Sequence, residues 1–213
     1  MLAVLMGGGL VLFGIGGNTS GGLVDALTGG SKAPDTGIFG ERSKAAEKRV
    51  LANRADAPAW AALARAKYQE ASAGGGIDAA GQYTASGRAQ LSQADRAWQQ
   101  YLKLDPPTPD PTVAILMAQV YGPNGLNRLP DAASAQEIVA ASRSDTGSYL
   151  QLAALSYAAG QSRKADLAGQ KAVALATKDQ REQIKAQVAS LKSQAAQAAV
   201  QGAAGAAGGS TAP

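Results

Sequence analysis

The side chains that could carry catalysis or hold a metal ion are scarce in this chain. Its 213 residues include neither histidine nor cysteine, which removes the commonest general base, thiol nucleophiles and the usual zinc ligands. No close pair of carboxylates is expected on the concave face that the helices are predicted to form. A mechanism that uses two carboxylates is therefore not predicted either. We therefore expect a protein that is not an enzyme and that uses no cofactor and no metal ion.

Mostly apolar and aromatic residues instead recur at helical spacing between residues 60 and 106. In the first half of this stretch they lie at offsets 0, 3, 4, 7 and 8, as Trp60, Leu63, Ala64, Lys67 and Tyr68. The second half continues with Ala94, Trp98, Tyr101, Leu102 and Leu104, and Pro106 then stops the helix. Side chains at these offsets line one side of a helix. A pair of such helices cannot bury its apolar side alone, so further copies are expected.

This helix pair resembles the tetratricopeptide repeat (TPR), a unit of about 34 residues. The residues that match the family pattern are Trp60, Leu63, Ala64, Tyr68, Ala94, Trp98, Tyr101 and Pro106. Two looser copies of the first helix follow. The residues at the same positions are Val113, Leu116, Met117 and Tyr121 in the second copy, and Tyr149, Leu152, Ala153 and Tyr157 in the third. The resemblance implies an all-α fold, a TPR-like α-solenoid with buried Trp60, Leu63, Leu116 and Leu152. An ordinary helical bundle with the same period is the alternative.

The resemblance also sets the expected domain boundaries. Repeats are predicted over residues 57–108, 110–145 and 146–179, followed by a capping helix over 179–200. The first repeat is longer because an insertion of about eighteen residues, which contains Gly74-Gly75-Gly76, separates its two helices. A lead-in helix with alternating charges is expected over 41–56, and a disordered tail rich in Ala and Gly is expected over 201–213.

Capping residues mark the expected helix ends. Three carboxylates can accept from the exposed amides that begin each first helix: Asp56, Asp110 and Asp145. Gly74 and Gly122 lie just beyond helix ends, where a left-handed conformation is needed. Thr177 with Gln180 is predicted to form a capping box for the last helix.

The N-terminal residues predict attachment to a membrane. Residues 1–17 carry no charged side chain and are expected to form a transmembrane anchor. A cleaved secretory signal and a buried soluble helix are the alternatives, and a true start codon upstream of Met1 stays open. Residues 18–40, rich in Gly, Ser and Thr, are expected to be a flexible linker.

The resemblance implies a binding groove on a concave face built from the first helix of each pair, a surface that takes extended peptides or partner helices. The groove residues that it implies are Arg65, Tyr68, Ala114, Ala118, Tyr121, Leu150 and Tyr157. Because Arg65 is the only charged member, the groove is expected to favour aliphatic or aromatic side chains over a terminal carboxylate. For the three tyrosines, packing between neighbouring helices is the alternative role.

The expected function is that of a single-pass membrane scaffold that holds a protein or peptide partner near the bilayer, in envelope assembly, export or quality control. The alternative is a chaperone similar to the cytochrome c maturation factors, which presents an unfolded substrate. Nucleic acid is not predicted as a partner because the basic residues are scattered among acidic ones, and no small-molecule substrate is predicted. Resemblance to anchored bacterial repeat proteins favours an extracytoplasmic domain, whereas a literal count of flanking basic residues favours the cytoplasm. Partner, pathway, topology and oligomeric state stay open.

Overall fold

A computed structural model describes residues 36–207, and every regular element in this range is an α-helix. The helices are α1 (Thr36–Ala52), α2 (Ala57–Ser72), α3 (Ala85–Lys103), α4 (Pro111–Val120), α5 (Leu129–Arg143), α6 (Thr146–Ala158), α7 (Ser162–Leu175) and α8 (Arg181–Ala207). The prediction of an all-α fold is therefore confirmed for this range. None of these helices combines the length and the apolar character needed to cross a bilayer. The predicted anchor and most of the predicted linker lie outside the described residues.

Two helices extend further than the sequence predicted. Helix α1 begins at Thr36, within the expected linker, and the Arg42 guanidinium lies 6.0 Å from the centre of the Phe39 ring in its first turns. Helix α8 continues to Ala207, within the expected tail. Alanine has the highest helix propensity of all residues, so this stretch can stay helical without large apolar side chains to bury.

The helices pack in consecutive pairs, in which α2 contacts α3, α4 contacts α5 and α6 contacts α7. Helix α4 also contacts both α2 and α3, and α8 contacts both α6 and α7 in the same way. Helix α8 therefore occupies the place that the first helix of a fourth pair would take. Among the described helices, α4 and α6 do not meet, so the second and third pairs are joined through α5 and α6.

The core is divided at the same point. A main cluster runs from α1 to α5 around four of its largest fully buried side chains, Leu91, Trp98, Met117 and Tyr121. A smaller cluster holds Ala140, Leu152, Ala153 and Ala168. Alanines are common in both clusters and bring the helix axes close together, since a methyl group leaves little space between backbones.

The predicted insertion lies where the spacing placed it, between α2 and α3, and it forms an ordered loop over residues 73–84. Ile77 and Tyr83 pair across the loop as an isolated antiparallel bridge. Asp78 Oδ1 accepts from two amides of the turn, each at 2.9 Å. A Cβ atom on Gly87 would lie 2.1 Å from the Gly76 carbonyl oxygen, so the start of α3 packs directly on the loop backbone.

Some of the expected helix ends are corrected. Gly74 has the expected positive φ of 57°, but Gly122 is not left-handed. Helix α4 ends at Val120, and its C-cap residue Tyr121 has a φ of −85°. Thr177 accepts from the Gln180 amide at 3.1 Å through its backbone oxygen, so it heads a turn and α8 starts only at Arg181.

The predicted buried residues differ in their burial. Leu63 and Leu152 are buried, as predicted. Trp60 and Leu116 are only half-buried, and the Trp60 indole nitrogen donates to the Arg54 carbonyl oxygen at 2.9 Å. On α4 the central core position belongs to Met117, the next residue in the chain, whose side chain is 0% exposed.

This difference predicts unequal costs for two adjacent truncations. Met117→Ala should lower the free energy of unfolding by about 2 to 5 kcal/mol, because it leaves a cavity in the core. Leu116→Ala should cost no more than about 1.5 kcal/mol, because much of that side chain is already in water. Chemical denaturation of both variants measures the costs. A larger cost for Leu116→Ala would mean that α4 is rotated from the orientation described.

Candidate protein-binding surface

Three aspartates fix where the first helix of each pair begins. Their carboxylates accept from backbone amides of the first turn at 2.9 Å for Asp56, 2.8 Å for Asp110 and 2.8 Å for Asp145, which confirms the predicted caps. The helix amides hold the pKa of the Asp56 and Asp145 carboxyls below the usual value. Both caps are therefore charged at neutral pH, and each first helix starts at a defined residue.

The seven residues of the predicted groove divide into two groups. Partly exposed side chains belong to Arg65, Tyr68 and Leu150. Side chains that are 9% exposed or less belong to Ala114, Ala118, Tyr121 and Tyr157. The expectation that these four line an open groove is wrong. For the two alanines the reason is that α4 is apolar on nearly every side, so helical period alone does not determine its rotation.

The Tyr121 side chain is buried, and its hydroxyl has polar partners on α3. Its hydroxyl donates to Asp95 Oδ1 at 2.7 Å and accepts from the Gln99 amide at 3.2 Å. The Arg128 guanidinium lies 5.0 Å from the centre of the Tyr121 ring and donates to Asp95 Oδ2 at 2.6 Å. Burial and the Asp95 acceptor raise the pKa of the Tyr121 hydroxyl. The residue thus joins α3 to the end of α4 and the start of α5, which is a packing role.

Tyr157 has a similar role in the third pair. Its hydroxyl donates to Asp166 on α7, and Lys192 on α8 donates to the same carboxylate at 2.9 and 3.1 Å. These two donors hold the pKa of the Asp166 carboxyl below its usual value. Tyr157 and Asp166 also border a cavity of 480 Å³ between α7 and α8. Tyr157 therefore secures α8 to the third pair.

Tyr68, by contrast, is half-buried, and its hydroxyl belongs to a cluster of polar side chains at the surface. Its hydroxyl donates to the side-chain oxygen of Gln119 on α4. The hydroxyl of Tyr83 lies 3.4 Å from Ser72 Oγ, and either can be the donor. Burial raises the pKa of the Tyr68 hydroxyl to about 12, and the nearby Tyr83 hydroxyl adds to the rise. We call Tyr68, Ser72, Tyr83 and Gln119 the tyrosine cluster.

Tyr83 reaches this cluster through the ordered loop. Its bridge to Ile77 holds the residue at the base of the loop. Arg88 donates to the Tyr83 carbonyl oxygen at 3.4 Å and to the Gly125 carbonyl oxygen at 3.3 Å, so it ties this loop to the one after α4. Tyr83 was not among the residues predicted from the sequence. The available signal was a lone aromatic residue in a stretch of Gly and Ala.

The tyrosine cluster adjoins a row of side chains shared by α2 and α4. Arg65 and Tyr68 lie three residues apart on α2, and Leu116 and Gln119 lie three residues apart on α4, so each pair shares a helix side. Arg65 donates to Asp110, the cap of α4, at 3.3 Å. We call this surface, with the tyrosine cluster at one end, the α2–α4 face. It combines neutral hydroxyls, one side-chain amide, one ion pair and a half-buried leucine.

The described residues offer no evident metal site, because no three of their acidic side chains converge where they could hold an ion.

Leu150, the third partly exposed residue of the predicted groove, is on α6, which does not contact α4. The structure therefore joins Arg65 and Tyr68 in one surface and leaves Leu150 outside it.

Comparison of the chain with models of known protein families, with curated proteins and with solved structures finds no match. The resemblance to the TPR therefore rests on the residues named above.

The tyrosine environments predict a loss of stability in alkali. Burial raises the pKa of Tyr68 and Tyr157 to about 12, against 10.0 for an unperturbed tyrosine. Between these values the unfolded chain releases tyrosine protons that the folded chain keeps, so the free energy of unfolding should fall as pH rises from about 10 to 12. Denaturation curves at several pH values measure this slope.

A double variant, Tyr68→Phe with Tyr157→Phe, provides the control for this prediction. It should show a shallower decline of the free energy of unfolding with pH, because the two hydroxyls whose pKa is raised in the folded chain are gone. An identical slope in parent and variant would contradict the environments described for these two residues.

Proposed function

We propose that this chain is a TPR-like scaffold that binds a protein or peptide partner on the α2–α4 face. The observation that carries the proposal is the packing pattern of the helix pairs. First helices contact each other from α2 to α4 and from α6 to α8, whereas the second helices α3, α5 and α7 do not contact one another. In stacked helix pairs this arrangement puts the first helices on the inner side of a curve, which is the side that binds partners.

The chemistry of the α2–α4 face suits such a partner. Tyrosine combines a large apolar ring with a polar tip and is enriched at protein interfaces. Two tyrosines, the Gln119 amide and half-exposed Leu116 lie there together, and the charge of Arg65 is balanced by Asp110. We infer a partner segment with aliphatic or aromatic side chains and backbone groups that hydrogen-bond to the phenols and the amide.

Binding rather than catalysis is the role that we propose for this chain. The Asp95 carboxylate bonds Tyr121 and Arg128, and the Asp110 carboxylate caps α4 and pairs with Arg65, so both carboxylates are committed to structural partners. A catalytic acid or base needs a free position beside a substrate. We further propose that residues 1–17 attach the scaffold to a membrane, so that the partner is held near the bilayer.

Charge placed on the α2–α4 face tests the proposal. Leu116→Glu and Tyr83→Glu should each lower recovery of a crosslinked, stoichiometric partner from membranes by at least about tenfold, because an interface anchor contributes more than about 1 kcal/mol and a buried charge adds a penalty. The matched control is Ser134→Glu, which puts the same charge on an exposed position of α5. Its recovery should equal that of the parent.

Melting temperatures separate loss of binding from loss of folding in this experiment. The comparison is made on variants that melt within a few degrees of the parent. If the Leu116→Glu and Tyr83→Glu variants both melt normally and still recover the same partner as the control, the α2–α4 face is not the binding surface.

A further inference from the structure

The net positive charge of this chain lies entirely in its C-terminal quarter. Residues 1–160 contain thirteen Lys or Arg residues and thirteen Asp or Glu residues, so their charges cancel. Residues 161–213 contain seven basic and three acidic residues, a net charge of +4 that equals the charge of the whole chain. The basic residues are therefore not evenly scattered, and the excess belongs to α7, the turn after it and the first half of α8.

On α7 the exposed cations alternate with exposed leucines. Arg163, Leu167, Lys171 and Leu175 follow one another at intervals of four residues and form one ridge along the helix. Leu167 is 61% exposed and Leu175 is 37% exposed. The opposite side of α7 packs inward through small residues, namely Ala165, Ala168, Gly169 and Ala172. We call the four exposed residues the α7 ridge.

The cations of the ridge are not used within the fold. Arg163 and Lys171 are exposed and form no salt bridge with any described residue. Lys178, in the turn after α7, and Arg181, the first residue of α8, form no such salt bridge either. On the other flank of α7, Lys185 and Lys192 border the 480 Å³ cavity and pair with Glu182 and Asp166. The α7 ridge, with its unpaired cations and two exposed leucines, matches a partner that is both anionic and apolar.

We propose that the α7 ridge docks on an anionic lipid surface. Each Lys or Arg close to such a surface gains about 1 kcal/mol from the negative headgroups. The leucines can enter the boundary between headgroups and acyl chains, where they leave water. Nucleic acid fits less well, because no aromatic side chain accompanies the cations of the ridge. This proposal goes beyond the partner-binding face, which lies on other helices.

The absence of cysteine from the chain allows a direct test with the full-length protein. Ala174→Cys puts a single thiol on the exposed side of α7 beside the ridge, for labelling with a fluorophore that brightens in an apolar environment. The labelled chain is reconstituted into phosphatidylcholine vesicles with or without about 30 mol % phosphatidylglycerol. We expect the fluorescence emission to rise at least about twofold on the anionic vesicles only. Addition of about 0.5 M salt should bring the emission back to its value on neutral vesicles.

Two variants with equal charge changes locate the effect. Arg163→Gln with Lys171→Gln should abolish the rise, whereas Arg96→Gln with Lys103→Gln, at exposed cations of α3, should leave it intact. No response to anionic vesicles overturns the proposal, as does an equal loss in both double variants. If soluble polyglutamate brightens the label and anionic vesicles do not, the ridge docks an acidic protein and the lipid proposal is wrong.

This test does not depend on the proposal for the α2–α4 face, because the vesicle assay contains no protein partner. Flotation of the chain with neutral vesicles reports separately on attachment through residues 1–17. If the chain floats with neutral vesicles but its label does not respond to anionic ones, the proposed membrane attachment is supported and the proposed lipid docking of the α7 ridge is wrong.

Discussion

The hydrogen bond from Tyr121 to Asp95 is the contact on which the rotation of α4, and with it the composition of the α2–α4 face, depends. It joins the end of α4 to the middle of α3, and Arg128 covers the Tyr121 ring while bonding the same carboxylate. A buried hydroxyl without a partner is costly, so α4 must turn this tyrosine toward α3. Once Tyr121 points inward, Met117 and Ala114 face the core, and Gln119 and Leu116 are left on the outer side.

The proposed binding surface is a consequence of that rotation. Gln119 faces outward and meets Tyr68 of α2, and the ordered loop adds Tyr83 beside it. The same restraint does not reach the third pair, where a separate core and the contact of Tyr157 with Asp166 hold α6, α7 and α8 together. The molecule thus has two surfaces of different chemistry, a neutral face with tyrosines on α2 and α4 and a positive ridge on α7.

Features that depend on local sequence were predictable, whereas those that depend on distant partners were not. The caps at Asp56, Asp110 and Asp145, the helix pairs and the position of the insertion each follow from residues close together in the chain. The rotation of α4 does not, because its apolar residues surround the helix and the deciding acceptor, Asp95, is 26 residues away. The role of Tyr83 was missed for the same reason, since the loop fold brings it to Tyr68.

The rotation of α4 can be measured directly by the reactivity of single cysteines at two adjacent positions. The Gln119→Cys variant should react with a thiol reagent readily, and the Ala118→Cys variant at least about tenfold more slowly, because a buried thiol reacts only when the structure opens. Adding Asp95→Ala should shrink this difference by releasing Tyr121. Equal rates at the two positions, or faster reaction at residue 118, would contradict the account.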